Sequence, residues 1–102
     1  MISQNEKDLL KITEYYKVLA DPLRLRILKY IVSSGNGEIK CSELAEKTGL
    51  PAASVNRHLK MLKETGLLSS RTEERTQLYS ADRQSLREMK YLTDSLYRDL
   101  EL

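Results

Sequence analysis

A single cysteine, Cys41, stands in the 102 residues, so no internal disulfide can brace the fold. That scarcity fits a reducing cytoplasm. No apolar run approaches the length needed to cross a bilayer, and the opening Met-Ile-Ser-Gln-Asn-Glu-Lys lacks the basic and then apolar order of a secretion signal. A cytoplasmic protein without membrane contact is expected. Histidine is as scarce as cysteine, with His58 alone. There is no nucleophile paired with a base and no glycine-rich phosphate loop, so neither an enzyme nor a bound cofactor is expected. Charge of one sign is also missing: 17 Lys and Arg face 15 Asp and Glu, for a net +2. Total charge therefore does not announce a nucleic-acid partner, and the location of charge has to. Residues 52–79 hold Arg57, Lys60, Lys63, Arg71 and Arg75 against Glu64, Glu73 and Glu74, whereas residues 81–102 lean acidic.

What is present reads as one soluble globular domain, 1–102, with 40% hydrophobic and 31% charged residues. Leu9, Ile12, Tyr16 and Leu19 recur at helical spacing and predict a first helix that stops before Asp21-Pro22. Asp21 suits the N-cap of a second helix and Pro22 its first turn, with Leu23, Ile27, Leu28 and Ile31 as the buried stripe. Gly35-Asn36-Gly37 breaks that helix. Ile39 and Cys41 predict a very short strand, and Ser42 a cap for a third helix through Leu44, Ala45 and Thr48, closed by Gly49. Pro51 suits the start of a fourth helix whose inward stripe is Val55, Leu59 and Leu62, ending at Gly66. From Leu67 the period changes to two, with Leu68, Ser70 and Thr72 out of phase with Arg71, and Gln77 and Tyr79 out of phase with Leu78. This predicts a β-hairpin turning near Glu73-Glu74-Arg75. Asp82 caps a last helix with Leu86, Met89, Leu92 or Thr93, Leu96 and Leu100 along one side.

Two short amphipathic helices joined by a break containing Gly49 are the helix-turn-helix signature, here over 42–66, and the hairpin over 67–80 supplies a wing. The fold class expected is mainly α with a small β-hairpin: five helices plus a wing. In such a motif the second helix enters the DNA major groove with its outward side. Placing Val55, Leu59 and Leu62 inward turns Ala53, Arg57 and Lys60 outward, with Asn56 beside them. Arginine can donate two hydrogen bonds to guanine and asparagine can pair with adenine, while Lys60 and Lys63 suit phosphates. Arg71 and Arg75, near the hairpin tip, could reach the adjacent backbone or the minor groove, held electrostatically rather than by sequence. The rival is a winged helix used as a protein-interaction module, which would expose an apolar patch on this helix; Met61 alone favours it. The apolar side chains of the terminal helices, Leu9, Ile12 and Tyr16 with Leu86, Met89, Leu96 and Leu100, and Tyr15, Tyr91 and Tyr97 nearby, exceed what one small domain can cover. Segments 1–20 and 82–102 are accordingly expected to pair two copies.

The runs Leu-Ala-Asp-Pro-Leu-Arg-Leu-Arg-Ile-Leu (19–28), Ser-Glu-Leu-Ala-Glu-Lys-Thr-Gly-Leu (42–50) and Ser-Val-Asn-Arg-His-Leu-Lys-Met-Leu-Lys-Glu-Thr-Gly-Leu-Leu (54–68) resemble the ArsR/SmtB family of transcriptional regulators. The resemblance covers nearly the whole chain. It implies a homodimeric repressor joined through its first and last helices, a palindromic operator in double-stranded DNA, a fourth helix that reads it, and a hairpin wing. The positions that carry base contacts in that family fall on Ala52, Ala53, Asn56 and Arg57. Two departures stand out: alanines at 52 and 53, where relatives often have polar residues, and Glu73 and Glu74 at a wing tip that usually has a glycine. His58 falls on a position that is generally structural. Metal-sensing relatives carry thiols about the third helix or histidines and carboxylates along the last. Here Lys40 and Ser42 flank Cys41 and the last helix has no histidine, so no metal site is expected and Cys41 is read as a small buried apolar residue. The residues assign no inducer.

Overall fold

The computed structural model describes residues 5–101. Its elements are α1 (Glu6–Leu19), α2 (Pro22–Val32), β1 (Ile39–Lys40), α3 (Cys41–Thr48), α4 (Ala52–Glu64), β2 (Leu68–Glu73), β3 (Thr76–Ala81) and α5 (Arg83–Asp99). Side chains that compete for backbone N–H groups open several of the helices. Asn5 Oδ1 accepts from the Asp8 N–H at 2.9 Å, and Asp82 Oδ1 accepts from the Ser85 N–H at 3.0 Å. Asp21 Oδ1 accepts from the N–H groups of Leu23 and Arg24 at 2.8 and 3.4 Å. The first of these bonds does most to hold the Asp21 carboxyl below the ordinary carboxylate range. The expected cap at Ser42 is not used. Strand β1 ends at Lys40, Cys41 already opens α3, and the Lys40 N–H donates back to Glu43 Oε1 at 3.4 Å.

Five helices and a hairpin match the expected class, with one addition. Strand β1 extends the hairpin to a three-stranded antiparallel sheet in the order β1-β3-β2, with Ile39 opposite Tyr79 and Lys40 opposite Leu78. One core gathers Ile27 and Ile31 from α2, Leu44 from α3, Leu59 and Leu62 from α4, and Leu67 beneath the wing. Helix α1 adds Ile12, Tyr15 and Val18. Its buried face is therefore rotated from the expected stripe: Leu9 and Tyr16 are about 40% exposed, at 41% and 40%. Apolar residues at 9, 10, 12, 15, 16, 18 and 19 leave more than one face open, and α5 selects among them. The Tyr15 hydroxyl donates to Glu88 Oε1 at 2.7 Å, where Lys11 Nζ also bonds at 2.9 Å. Burial first, and then Glu88, push the Tyr15 hydroxyl up to about 12. Ile12 and Tyr15 are consequently buried in the core of the single chain, whereas Leu9 and Tyr16 of the expected interface remain exposed.

The hairpin closes through a two-residue turn, since Glu73 pairs with Thr76. Its central residues, Glu74 and Arg75, both adopt left-handed backbone with φ of 48° and 68°. That pair of conformations suits the twist of the strands but costs about 1 kcal/mol or more for a residue with a Cβ, which is why Asn-Gly is favoured there. Replacing Glu74→Asn together with Arg75→Gly is expected to raise stability by about 1–2 kcal/mol, read as a higher urea midpoint at unchanged slope.

Candidate nucleic-acid interface

Helix α3 ends in a left-handed glycine: Gly49 has φ +73°, and its N–H donates to Ala45 O at 2.9 Å. Leu50 and Pro51 then carry the chain into α4. Along α4 the residues Val55, His58, Leu59 and Leu62 are buried, and Ala52, Ala53, Asn56, Arg57, Lys60 and Lys63 are exposed. The division follows the 3.6-residue period, so one helix carries both a hydrophobic anchor and a polar, basic outer side. His58 sits at the seam with α2, its Nδ1 3.4 Å from Arg24 Nη1. Arg24 also donates through Nε to the Val18 carbonyl at the end of α1, and its Nη1 lies 3.4 Å from Met61 Sδ.

The far end of α4 is locked to the wing. Thr65 closes the helix and Gly66, at φ +85°, turns the chain, with its N–H donating to Lys63 O at 2.9 Å. The Leu67 N–H donates to Leu62 O at 3.1 Å, and the Leu67 carbonyl accepts from the Asp82 N–H at 2.9 Å. The first two of these bonds satisfy the Lys63 and Leu62 carbonyls near the end of α4, and the last two hold Leu67, fully buried, between the helix and the base of the hairpin.

The result is a groove between α4 and β3, lined by Asn56, Arg57, Lys60, Lys63, Gln77 and Tyr79. A second hollow adjoins it, in which Asn56, Gln77 and Tyr79 recur beside Lys40, Cys41, Ser42, Arg75 and Thr76. Four of the expected contact residues, Asn56, Arg57, Lys60 and Lys63, thus line one groove, and Arg75 lies in the neighbouring one. Ala52 and Ala53 are exposed at the start of α4 but line neither. Gln77 and Tyr79 also line the groove and were not among the expected contacts. Their signal was the alternation already noted, which puts Gln77 and Tyr79 on the same side of β3.

Arg71 departs from expectation. It pairs opposite Leu78, out of phase with Gln77 and Tyr79, so its side chain leaves the other face of the sheet. There Nε and Nη2 donate to Glu38 Oε2 and Oε1 at 2.6 and 2.9 Å, and Nη2 reaches Glu73 Oε2 at 2.8 Å. The two carboxylates, Glu38 above all, raise the guanidinium's pKa further. A fork engaged by two carboxylates ties the wing to the loop before β1. Cys41 is half-buried, less enclosed than expected, with Sγ 3.7 Å from the Ala52 carbonyl, and burial pushes its thiol up. Among the described residues, no three of His, Cys, Asp and Glu come together in a way that could hold a metal ion, and no helix is long and apolar enough to cross a membrane.

A buried-and-exposed second helix after a short glycine turn, followed by a sheet wing lining the same groove, defines a winged helix-turn-helix protein. The chain belongs to the helix-turn-helix domain family, which it matches over residues 19–71. YceK of Bacillus subtilis (strain 168), described as an uncharacterized HTH-type transcriptional regulator, is 34% identical over 67 residues, 66% of each chain. The match thus spans just under two thirds of that relative's length. The solved structure of a "possible transcriptional regulator for arsenical resistance" is 31% identical, with TM-score 0.70 over 79% of this chain and 81% of that one. An ArsR-like transcriptional regulator from Rhodococcus sp. RHA1, 20% identical, has the same fold, with TM-score 0.78 over 91% of this chain and 85% of that one.

Proposed function

We propose that this protein is a sequence-specific, DNA-binding transcriptional regulator of the ArsR type, working in the cytoplasm as a homodimer, without enzymatic activity and without a metal site. The observation that carries the reading is the groove in which Asn56, Arg57, Lys60 and Lys63 stand together on a helix anchored by Val55, Leu59 and Leu62. With α4 in the major groove, Arg57 and Asn56 face base edges, while Lys60, Lys63 and Arg75 neutralise phosphates. The protein-interaction alternative is less well supported. Met61, the large apolar side chain exposed on α4, has its sulfur against the Arg24 guanidinium. Selection of bound fragments from genomic DNA tests the proposal. A recovered palindrome supports it, and fragments without a shared sequence would refute sequence-specific reading.

The dimer is proposed from apolar side chains that the protomer leaves uncovered: Leu9, Leu10 and Tyr16 on α1, Tyr91 and Tyr97 on α5, and Leu100 just beyond it. Leu86, Met89 and Leu96 are half-buried against the core and would close the rim. A two-fold axis between terminal helices covers both sets at once and presents two α4 helices to successive major-groove faces, about 34 Å apart. Sedimentation at micromolar concentration and moderate salt is expected to give twice the chain mass; a monomer would refute the interface.

A further inference from the structure

We infer that Gln77, on strand β3, is a DNA contact whose side-chain amide is aimed by Tyr79, an inference that rests on the DNA-reading function proposed above. The two residues share one side of β3, and both line the groove against α4. The Tyr79 side chain is held in place, 7% exposed and packed into the core, so its hydroxyl is a fixed donor. It donates to Gln77 Oε1 at 2.8 Å. With the amide oxygen engaged, the group that Gln77 leaves for a ligand is its NH₂, which carries two donors and no charge. The residues that share its two hollows are basic or neutral, among them Asn56, Lys60, Lys63, Lys40 and Arg75, and no carboxylate stands among them. A pre-oriented pair of donors in such a setting fits phosphodiester oxygens of the strand running between α4 and the wing. Because Tyr79 already restricts the amide, binding sacrifices less side-chain freedom than a loose surface glutamine would.

The test uses a duplex recovered by selection with the wild-type protein, and measures affinity across a salt series for five proteins besides wild type. Gln77→Ala is expected to weaken binding about threefold to tenfold with no change in the salt slope, since a neutral donor releases no counterion. Gln77→Glu keeps the acceptor for Tyr79 and replaces the donors by charge, so its loss is expected to exceed that of alanine while the melting temperature stays at the wild-type value. Tyr79→Phe is expected to lose about twofold to fivefold alone and nothing further in the Gln77→Ala background, because it acts through the amide. Wild-type affinity in Gln77→Ala and Gln77→Glu, or an equal loss from Tyr79→Phe in both backgrounds, would overturn the inference. Arg57→Ala separates the two readings. If it weakens binding while the Gln77 variants do not, this inference alone falls; if the wild type binds no duplex, the DNA-reading proposal falls with it.

Discussion

Replacing Leu59→Ala is expected to lower the stability of the protein by about 2–5 kcal/mol. Leu59 is 0% exposed and lies on α4 within a turn of Val55 and Leu62, which are equally enclosed. Removing its side chain forfeits the transfer of three carbons from water and leaves a cavity that neighbours fixed on α2, α3 and the sheet fill only in part. A domain of this size has about 5–15 kcal/mol in total, so the loss is a large fraction of it. Lys60→Ala, one residue along but exposed, should stay within about 0.5 kcal/mol. Urea unfolding of the two variants side by side checks the contrast. A cost under about 1 kcal/mol at Leu59 would mean that α4 is not anchored as described.

Arg57→Ala is expected to weaken binding to the selected operator by about 1–3 kcal/mol, roughly fivefold to 150-fold, and to relax base preference at one position of each half-site. Arg57 is exposed in the groove, away from the buried stripe, so the protein should fold as well without it. Lys60 shares the groove but offers a point charge in place of a fork. Its alanine variant is expected to weaken all sequences alike and to lower the salt slope by about one. Competition titrations against single-base operator variants, repeated over a salt series, distinguish the two roles. An Arg57→Ala protein that kept both affinity and preference would exclude this residue as a reader.

Local signals were legible in the sequence and long-range choices were not. The caps at Asp21, Gly49, Gly66 and Asp82 are bonds between residues at most a few positions apart, so residue type and spacing were enough to place them. The inward stripe of α4 was equally plain, because that helix has one apolar side. Helix α1 has more than one, and its face was settled by Tyr15 reaching Glu88, 73 positions away. The ion pair of Arg71 was hidden for the same reason: nothing near it in sequence reveals Glu38, 33 positions earlier, as its partner. The very short strand at Ile39 was given no partner, because its pairing with β3 spans the whole helix-turn-helix. Gln77 was overlooked although its phase was known, since polarity alone does not distinguish a strand residue facing a helix from one facing solvent.

The short bridge of Thr65, Gly66 and Leu67 has a consequence for the nucleic acid. With Leu67 bonded to α4 on one side and to the start of α5 on the other, α4 and the wing are joined through a short hydrogen-bonded bridge. On the proposed DNA-reading function, a bridge this short favours a fit made by deforming the DNA over one made by opening the protein. Sequences that already have the matching width, or that deform cheaply at flexible pyrimidine–purine steps, would then gain over others at positions no side chain touches.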